Sequence, residues 1–564
     1  MVNSENFQAL NMLQESYKEQ VKCVYIDPPY NTDASAINYK NDYRSSSWIS
    51  LIDSRIDLGK NLLMEDGILC ATIDDFQQKE LSALLESKFS EGGLAGTVVI
   101  RNNPSGRPTQ TGFALAHEYG IFARKSEEST ILRLGRSEEQ LERFDEKDNE
   151  GVYEERNLRR EGSDSERANR PKMYYPIYVA EKTVRVPEMS WNDQSNSWDI
   201  LEESLSNETV VWPIDDSGIE RRWRWGSDRV KEDYKQFIVK KARGQKLGVY
   251  YKYRPNMDGA VTPTVWADPK YSATEHGTAL LKKIFGSSIF SYPKSIFAVE
   301  DSISIMGLKR GKGTVLDYFA GSGTTGHAVI NLNREDEGKR KYILVEMGEY
   351  FDTVTKPRIQ KVIYSKDWRD GNPIGRQGIS HCFKYLRLES YEDTLNNLSL
   401  KRTAQQELAL GGSATFREGY LLRYMLDVES RASLFDTERF RNPFACYIDV
   451  TRQNERTPTR VDLVETFNYL IGLVVDGQYT SGPHIRVVTG QTLKGEKTLI
   501  IWRNQDQMNN STLNEWLQKS SYNPRDSEFD RIYINGDNHL ENLRRDDETW
   551  KVTLIEEEFS KRMG

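Results

Sequence analysis

The sequence predicts an α/β protein: a doubly wound, Rossmann-like sheet in two halves, an inserted domain between them, and a small α/β domain at the C-terminal end. Two observations predict the sheet. Strand and helix patterns alternate near Val21 and again near Thr314, and in both places a strand runs into a sharp turn. A third predicts the insertion: the stretch between the two units, above all Lys125 to Asn256, is rich in Arg, Trp, Tyr and Asn with weak periodicity. The expected divisions are residues 1–124 and 266–376 for the two halves of the sheet domain, 125–265 for the insert and 377–564 for the last domain.

Taken in order, Val21 to Asp27 (V-K-C-V-Y-I-D) is a β-rich run that stops at Pro28 and Pro29, which cannot continue a ladder. Trp48 to Met64 places Ile49, Ile52, Ile56, Leu58 and Leu62 at roughly helical spacing, and Gly67 acts as a stop before the apolar strand Ile68 to Ile73. The second unit has a strand from Thr314, a glycine-rich turn, a helix from about Thr324 to Leu332 and a strand from Lys341 to Glu346. Near the end, Thr498 to Trp502, Leu513 to Leu517 and Phe529 to Ile534 suggest strand, helix, strand. Asn535-Gly536-Asp537-Asn538 reads as a turn after the last of these.

The 564 residues, 37% hydrophobic and 29% charged, suffice for one large domain and one or two smaller ones. No apolar run reaches the roughly twenty residues of a membrane span, and Met1 to Leu10 lacks the regions of a signal peptide, so no membrane association and a cytoplasmic location are expected. Cys23, Cys70, Cys382 and Cys446 are scattered, and the six histidines form no H-E-x-x-H or H-x-H pattern, so no metal is expected. A net charge of −8 argues against indiscriminate coating of nucleic acid but allows a local basic groove.

Two motifs carry chemistry. Asp27-Pro28-Pro29-Tyr30 lies at the carboxyl end of a strand, where open α/β sheets hold ligands. An exocyclic amine on a planar base is a poor nucleophile, and a catalyst must accept hydrogen bonds from both of its N–H groups. The Asp27 carboxylate and the Pro28 carbonyl supply two acceptors, Pro28 and Pro29 stiffen the turn, and Tyr30 offers a ring on which an extruded base can stack. Alone, four such residues are also an ordinary turn.

The second motif, Asp317 to Gly326 (D-Y-F-A-G-S-G-T-T-G), follows a strand and opens a helix, where glycines let a cofactor approach the backbone. Gly321, Gly323 and Gly326 also fit the dinucleotide pattern G-x-G-x-x-G. However, Asp317 and Phe319 ahead of the glycines suit a cofactor with an amino acid portion, and no hydride-transfer constellation is visible. Thr324 begins the helix, and Glu346 ends the next strand in place for ribose hydroxyls. Gly307 to Lys312 (G-L-K-R-G-K) has the wrong spacing for a P-loop and reads as a basic turn.

With these residues in hand, the chain resembles the β class of DNA amino-methyltransferases, in which the D-P-P-Y half precedes the F-x-G-x-G half, a circularly permuted motif order. Tyr292-Pro293-Lys294 looks like the family's cofactor-side motif, and His117-Glu118-Tyr119 resembles the strand that closes its catalytic half. The resemblance spans roughly residues 1 to 365. Ile73-Asp74-Asp75, Trp212-Pro213-Ile214, Trp223-Arg224-Trp225-Gly226 and Thr264-Val265-Trp266 bring it nearest to the modification (Mod) subunits of type III restriction systems.

This resemblance implies methyl transfer from S-adenosylmethionine to the N6 amine of adenine in double-stranded DNA, with Asp27, Pro28, Pro29 and Tyr30 catalytic. It implies Asp317, Phe319, Gly321, Gly323, Thr324, Glu346, Pro293 and Lys294 on the cofactor, and the insert as target recognition domain. It also implies docking of a restriction or helicase subunit, or of a second copy of the chain, by the last domain. No cysteine follows a proline, so the motif of C5-cytosine enzymes is absent. The catalytic strand starts about twenty residues from Met1, whereas family members carry more upstream, so a fragment, a late-start product and half of a split gene stay open. A catalytically incomplete DNA-binding scaffold and a methyltransferase of RNA or protein amines are the alternatives.

For DNA contact the candidates are Arg156, Arg159 and Arg160, in a cluster with Arg167, Arg170 and Lys172, and Arg221, Arg222 and Arg224, interleaved with Trp223 and Trp225. The plainer expectation sets these arginines against Glu161, Asp164, Glu166 and Glu220, with the tryptophans in a core.

Overall fold

The computed structural model describes residues 1–31, 45–106, 112–136, 141–181, 183–241, 247–256, 258–308, 311–397, 437–452, 455–526, 528–545 and 550–563. Lys309 and Arg310, in the basic turn from Gly307 to Lys312, lie outside them. The chain divides into two compact units, Met1–Leu132 together with Pro263–Gly564, and Arg133–Thr262.

The first unit is organised by one nine-stranded mixed sheet. In chain order its strands are β1 (Val2–Asn3), β2 (Val21–Ile26), β3 (Leu63–Ile73), β4 (Leu94–Ile100), β5 (Glu118–Arg124), β6 (Val265–Trp266), β7 (Thr314–Asp317), β8 (Lys341–Glu346) and β9 (Leu386–Arg387). Across the sheet they run β6-β4-β5-β3-β2-β7-β8-β1-β9. Only β5 is antiparallel to its neighbours. Val315 pairs with Cys23 and Leu316 with Val24, so the two motif-bearing strands lie side by side although nearly three hundred residues separate them.

Helices cover both faces, and the alternation of side chains along each strand shows why. In β8, Ile343 and Val345 join the core that holds Ala9, Leu10 and Leu13 of α1 (Asn6–Tyr17) and Trp48, Ile52 and Ile56 of α2 (Ser45–Leu62). Leu344, between them, packs on the other face, with Ile330 of the helix Thr324–Asp336 and Ile359 and Val362 of the helix Thr355–Tyr364. Strands buried on both faces need apolar residues throughout, and V-K-C-V-Y-I and K-Y-I-L-V-E supply them. The chain leaves β2 toward β3 and leaves β7 toward β8, in opposite directions, which opens a crevice at their carboxyl ends.

One local expectation is corrected. β3 begins at Leu63 and runs through Gly67, which therefore does not stop a helix; the register slips there, with Val21 opposite Leu63 but Cys23 opposite Ile68. A glycine tolerates this bulge because it has no side chain to place.

Toward the C-terminal end of the same unit, the strands Leu473–Thr480, Ile485–Thr492, Lys497–Arg503, Arg531–Ile534 and Val552–Leu554 form a second sheet. Lys497–Arg503 and Arg531–Ile534 pair in parallel through the helix Asn510–Lys519. The four residues after Ile534 do more than turn. Asn535 is fully buried, donates to the Phe440 and Arg503 carbonyls at 2.8 Å each, and accepts from Arg503 N at 2.7 Å.

The second unit is β-rich. It contains a four-stranded antiparallel sheet of Phe237–Lys241, Leu247–Tyr253, Gly151–Asn157 and Glu146–Asp148, a three-stranded sheet and a hairpin around a core that includes Leu158, Tyr175, Trp223 and Val249. Its limits at Arg133 and Thr262 differ from the expected 125 and 265. Lys125 N and Ser129 Oγ donate to the Gly67 carbonyl at 3.0 and 2.8 Å, and Val265–Trp266 is a strand of the large sheet. No contact boundary falls at residue 377, since Leu386–Arg387 pairs with β1.

Candidate active site

Asp27 stands where the two prolines end β2. Its Oδ1 accepts from Thr72 Oγ1 at 2.7 Å, and Thr72 is itself fully buried in β3. Trp48 Nε1 donates to the Pro29 carbonyl at 2.8 Å, which anchors the turn to the core. The Tyr30 hydroxyl donates to Glu118 Oε2 at 3.1 Å. The same oxygen of Glu118, the first residue of β5, accepts from Asn102 Nδ2 at 2.8 Å and from Lys294 Nζ at 2.5 Å. Lys294 Nζ also lies 3.0 Å from Asp27 Oδ1, donates to the Tyr30 hydroxyl, and stands 4.7 Å from the Tyr30 ring centroid.

Burial draws the Lys294 ammonium down, but the Asp27 and Glu118 carboxylates outweigh it and hold its pKa above the usual lysine value, so it is a cation. Burial, followed by the charges of Asp27 and Glu118, pushes the Tyr30 phenol well above its ordinary range, so it stays a hydroxyl. Both residues line the cavity, each with partners the sequence did not name. Lys294, expected on the cofactor, has its ammonium on the carboxylates, which satisfy the N–H groups of a buried cation. Tyr30, expected to offer its ring as a stacking platform, lines the cavity, is fixed through its hydroxyl and packs partly against the core.

The glycine turn is braced by the two carboxyls beside it. Asp317, 3% exposed, accepts from Phe319 N at 3.0 Å and Thr325 Oγ1 at 2.5 Å. Glu346, 1% exposed, accepts from Gly321 N and Gly348 N, both at 2.8 Å. Gly321 (φ +51°) and Gly323 (φ +83°) occupy the left-handed region that this turn requires. Thr355 Oγ1 donates to the Gly321 carbonyl at 2.6 Å, and the Thr324 hydroxyl accepts from buried Arg358 at 2.9 Å. Burial pushes the Asp317 carboxyl up to about 7, against the opposing bonds from Thr325 and Phe319. Burial likewise raises Glu346, offset in part by the Gly348 and Gly321 amides.

Both motifs line one cavity of about 690 Å³, a size suited to a small organic ligand. Its walls include Asp27, Pro28, Pro29, Tyr30, Pro293 and Lys294 together with Asp317, Phe319, Gly321, Thr324 and Glu346. Gly323 instead faces Thr355. Glu118, Asn102, Phe290 and Tyr350 also line it and were not candidates from the sequence. Glu118 had one available signal, its place in His117-Glu118-Tyr119, which reads as a strand of the catalytic half and not as part of the site.

The arginine candidates of the insert are largely engaged inside it. Arg159 pairs with Glu161 at 3.3 Å, Arg221 with Asp215 at 2.8 Å and Glu166 at 3.7 Å, and Arg156 with Glu154 at 3.0 Å. Arg224 Nε donates to the Asn157 carbonyl at 3.0 Å, whereas Arg160 is tied by its backbone N–H, which donates to the Arg222 carbonyl at 2.8 Å. Arg222, 6% exposed, donates to the Asp164 carbonyl at 2.7 Å and pairs with its carboxylate at 2.6 Å. Arg222 is thus a buried brace and not a surface contact, and Trp223, 2% exposed, is core.

Cys23, Cys70 and Cys446 are buried, and burial raises the Cys23 and Cys70 thiols, which makes them inert. Among the described residues no cluster of three or more His, Cys, Asp or Glu is arranged for a metal ion, and no helix is long and apolar enough to cross a membrane.

The profile of the DNA methylase family matches residues 21–356. The chain is 30% identical over 402 residues to the type II methyltransferase M.KpnI of Klebsiella pneumoniae, covering 68% of this chain and 89% of that one. It is 28% identical over 420 residues to the type III restriction-modification enzyme EcoPI Mod subunit of Escherichia phage P1, covering 68% of this chain and 62% of that one. The solved PvuII DNA methyltransferase (cytosine-N4-specific) aligns at 12% identity over 62% of this chain and 83% of that one, with a TM-score of 0.31. With the family profile spanning more than half of the sequence and both motifs on one cavity, the chain belongs to the DNA methylase family.

Proposed function

We propose that the chain transfers a methyl group from S-adenosylmethionine to the N6 amine of adenine in duplex DNA, as the modification component of a restriction-modification system. One observation carries the reading: amine acceptors and a glycine turn line the same cavity. The residues present fit the cofactor. Asp317 offers a carboxyl to the amino acid portion and Glu346 one to ribose hydroxyls, and a Cβ built at Gly321 would meet nothing nearer than Phe290 Cζ at 3.6 Å, so the backbone there is open to approach.

When bound, the cofactor supplies a sulfonium-activated methyl group. The chain does the rest by placement. The adenine leaves the stack, since its amine is out of reach inside a duplex. The Asp27 carboxylate and the Pro28 carbonyl accept its two N–H groups and turn the nitrogen lone pair outward. The N–C bond would form as the methyl–sulfur bond breaks, with its electron pair left on sulfur, and the Asp27 carboxylate would take the surplus proton and pass it to solvent. Thr72, the Trp48 bond to Pro29 and the prolines keep these acceptors still.

The names of the two curated relatives support a restriction-modification setting, and with it a restriction subunit or a second copy of the chain as partner. We assign target recognition to the insert. The test is transfer of labelled methyl from S-adenosylmethionine to unmethylated duplex DNA by the wild type and by Asp27→Ala. Label in DNA with the wild type alone supports the reading; no label, or label that survives the substitution, contradicts it.

A further inference from the structure

Lys294 competes for one oxygen of the carboxylate that the chemistry just described uses. Each carboxylate oxygen has two lone pairs, so an amine that comes to Asp27 Oδ1 must find one of that oxygen's two free. Yet Thr72 uses Asp27 Oδ1 at 2.7 Å, and Lys294 Nζ takes the same oxygen at 3.0 Å. The ammonium has three N–H donors and sits among three acceptors: Asp27, Glu118 Oε2 at 2.5 Å and the Tyr30 hydroxyl. Side-chain exposure grades across the group, 4% for Glu118, 12% for Lys294 and 30% for Asp27.

We propose, on the strength of the functional reading above, that Lys294 is a displaceable occupant of the amine position. With no base in the cavity its ammonium donates to Asp27. When the target amine arrives, the ammonium retreats to Glu118 and the Tyr30 hydroxyl, and Asp27 Oδ1 exchanges one N–H donor for another. Glu118 is then a positioning residue, because it keeps the buried cation paired throughout. Without it, freeing Asp27 would leave a buried charge without a carboxylate partner, and that is strongly disfavoured. The exchange also selects the base. A carbonyl oxygen at the same place has no N–H to give Asp27 and leaves the ammonium where it is.

Steady-state methylation of DNA from a methylation-free host, with calorimetric S-adenosylmethionine affinity as the folding control, tests this in three variants. Glu118→Gln holds Lys294 on Asp27, so kcat/KM for DNA falls by about tenfold or more, chiefly through KM, while cofactor affinity is kept. Adding Lys294→Met removes the competitor, and the double variant recovers about threefold or more over Glu118→Gln alone. A double variant no better than Glu118→Gln overturns the proposal. If Glu118→Gln fails to bind the cofactor, Lys294→Met alone decides. That variant frees Asp27 Oδ1 of its competitor, so KM for DNA falls. A rise in KM overturns the proposal. A wild type that binds the cofactor but methylates no DNA defeats the functional reading itself, whereas an active wild type with the wrong order of variants defeats only this inference.

Discussion

Glu346 Oε2 accepts the backbone N–H of Gly321 at 2.8 Å across twenty-five residues, so the carboxyl that ends one strand shapes the turn that leaves its neighbour. Its other oxygen takes the Gly348 amide, also at 2.8 Å. Replacing Glu346 by Ala leaves two N–H groups without their acceptor, each costing about 1–3 kcal/mol where it stays buried. The expected outcome is cofactor binding weakened by about tenfold to a hundredfold in titration calorimetry. Unchanged affinity would mean that the turn holds its shape without the carboxyl.

Asp317 gives the site a pH dependence. Burial lifts its carboxyl to about 7, so it is neutral below that pH and ionised above it. A cationic ligand favours the ionised form. Affinity for S-adenosylmethionine therefore rises with pH between about 6 and 8, and calorimetry across that window with Asp317→Asn beside the wild type should show a steeper slope in the wild type; equal slopes would contradict the assignment.

Gly326 fills a different need from its two neighbours in the motif. A Cβ there would stand 2.7 Å from Ile359 Cδ1 and 2.8 Å from Leu344 Cδ1, both in the fully buried layer between helix and sheet. Gly326→Ala overpacks that layer and destabilises the chain by about 1–3 kcal/mol, read as a lower thermal midpoint. A midpoint equal to that of the wild type would contradict the packing account.

Within the insert, Arg222→Ala should act on stability before it acts on DNA. Its guanidinium braces both the carbonyl and the carboxylate of Asp164, the latter half-exposed, so the loss is about 1–3 kcal/mol. Thermal unfolding without DNA measures it. An undiminished midpoint with weakened DNA binding would return Arg222 to the role that its sequence suggested.

The parts of this architecture that were legible in the sequence are those written in local rules. Pro28 and Pro29 marked the end of β2, the K-Y-I-L-V-E run gave β8 with its bounds, and the glycines of 321–326 announced a turn onto a helix. What was not legible depends on which segments meet in space. Nothing in Tyr292-Pro293-Lys294 says that the ammonium lands on Asp27 and Glu118, or that Glu118 faces the cavity from the start of β5. The arginines of the insert look alike in sequence. The neighbouring carboxylates named with them include several of the actual partners, Asp164 for Arg222 among them, but not which arginine each one takes, and Asp215, which pairs with Arg221, was not among them.

The central claim is that Asp27 and the glycine turn serve one methyl transfer to adenine. The most direct measurement is expression in a methylation-free bacterial host, beside Asp27→Ala, followed by genome sequencing that reads modified bases. The account predicts N6-methyladenine at one short sequence motif with the wild type and none with Asp27→Ala. Methylation on cytosine, or no modified base in either strain, would contradict it.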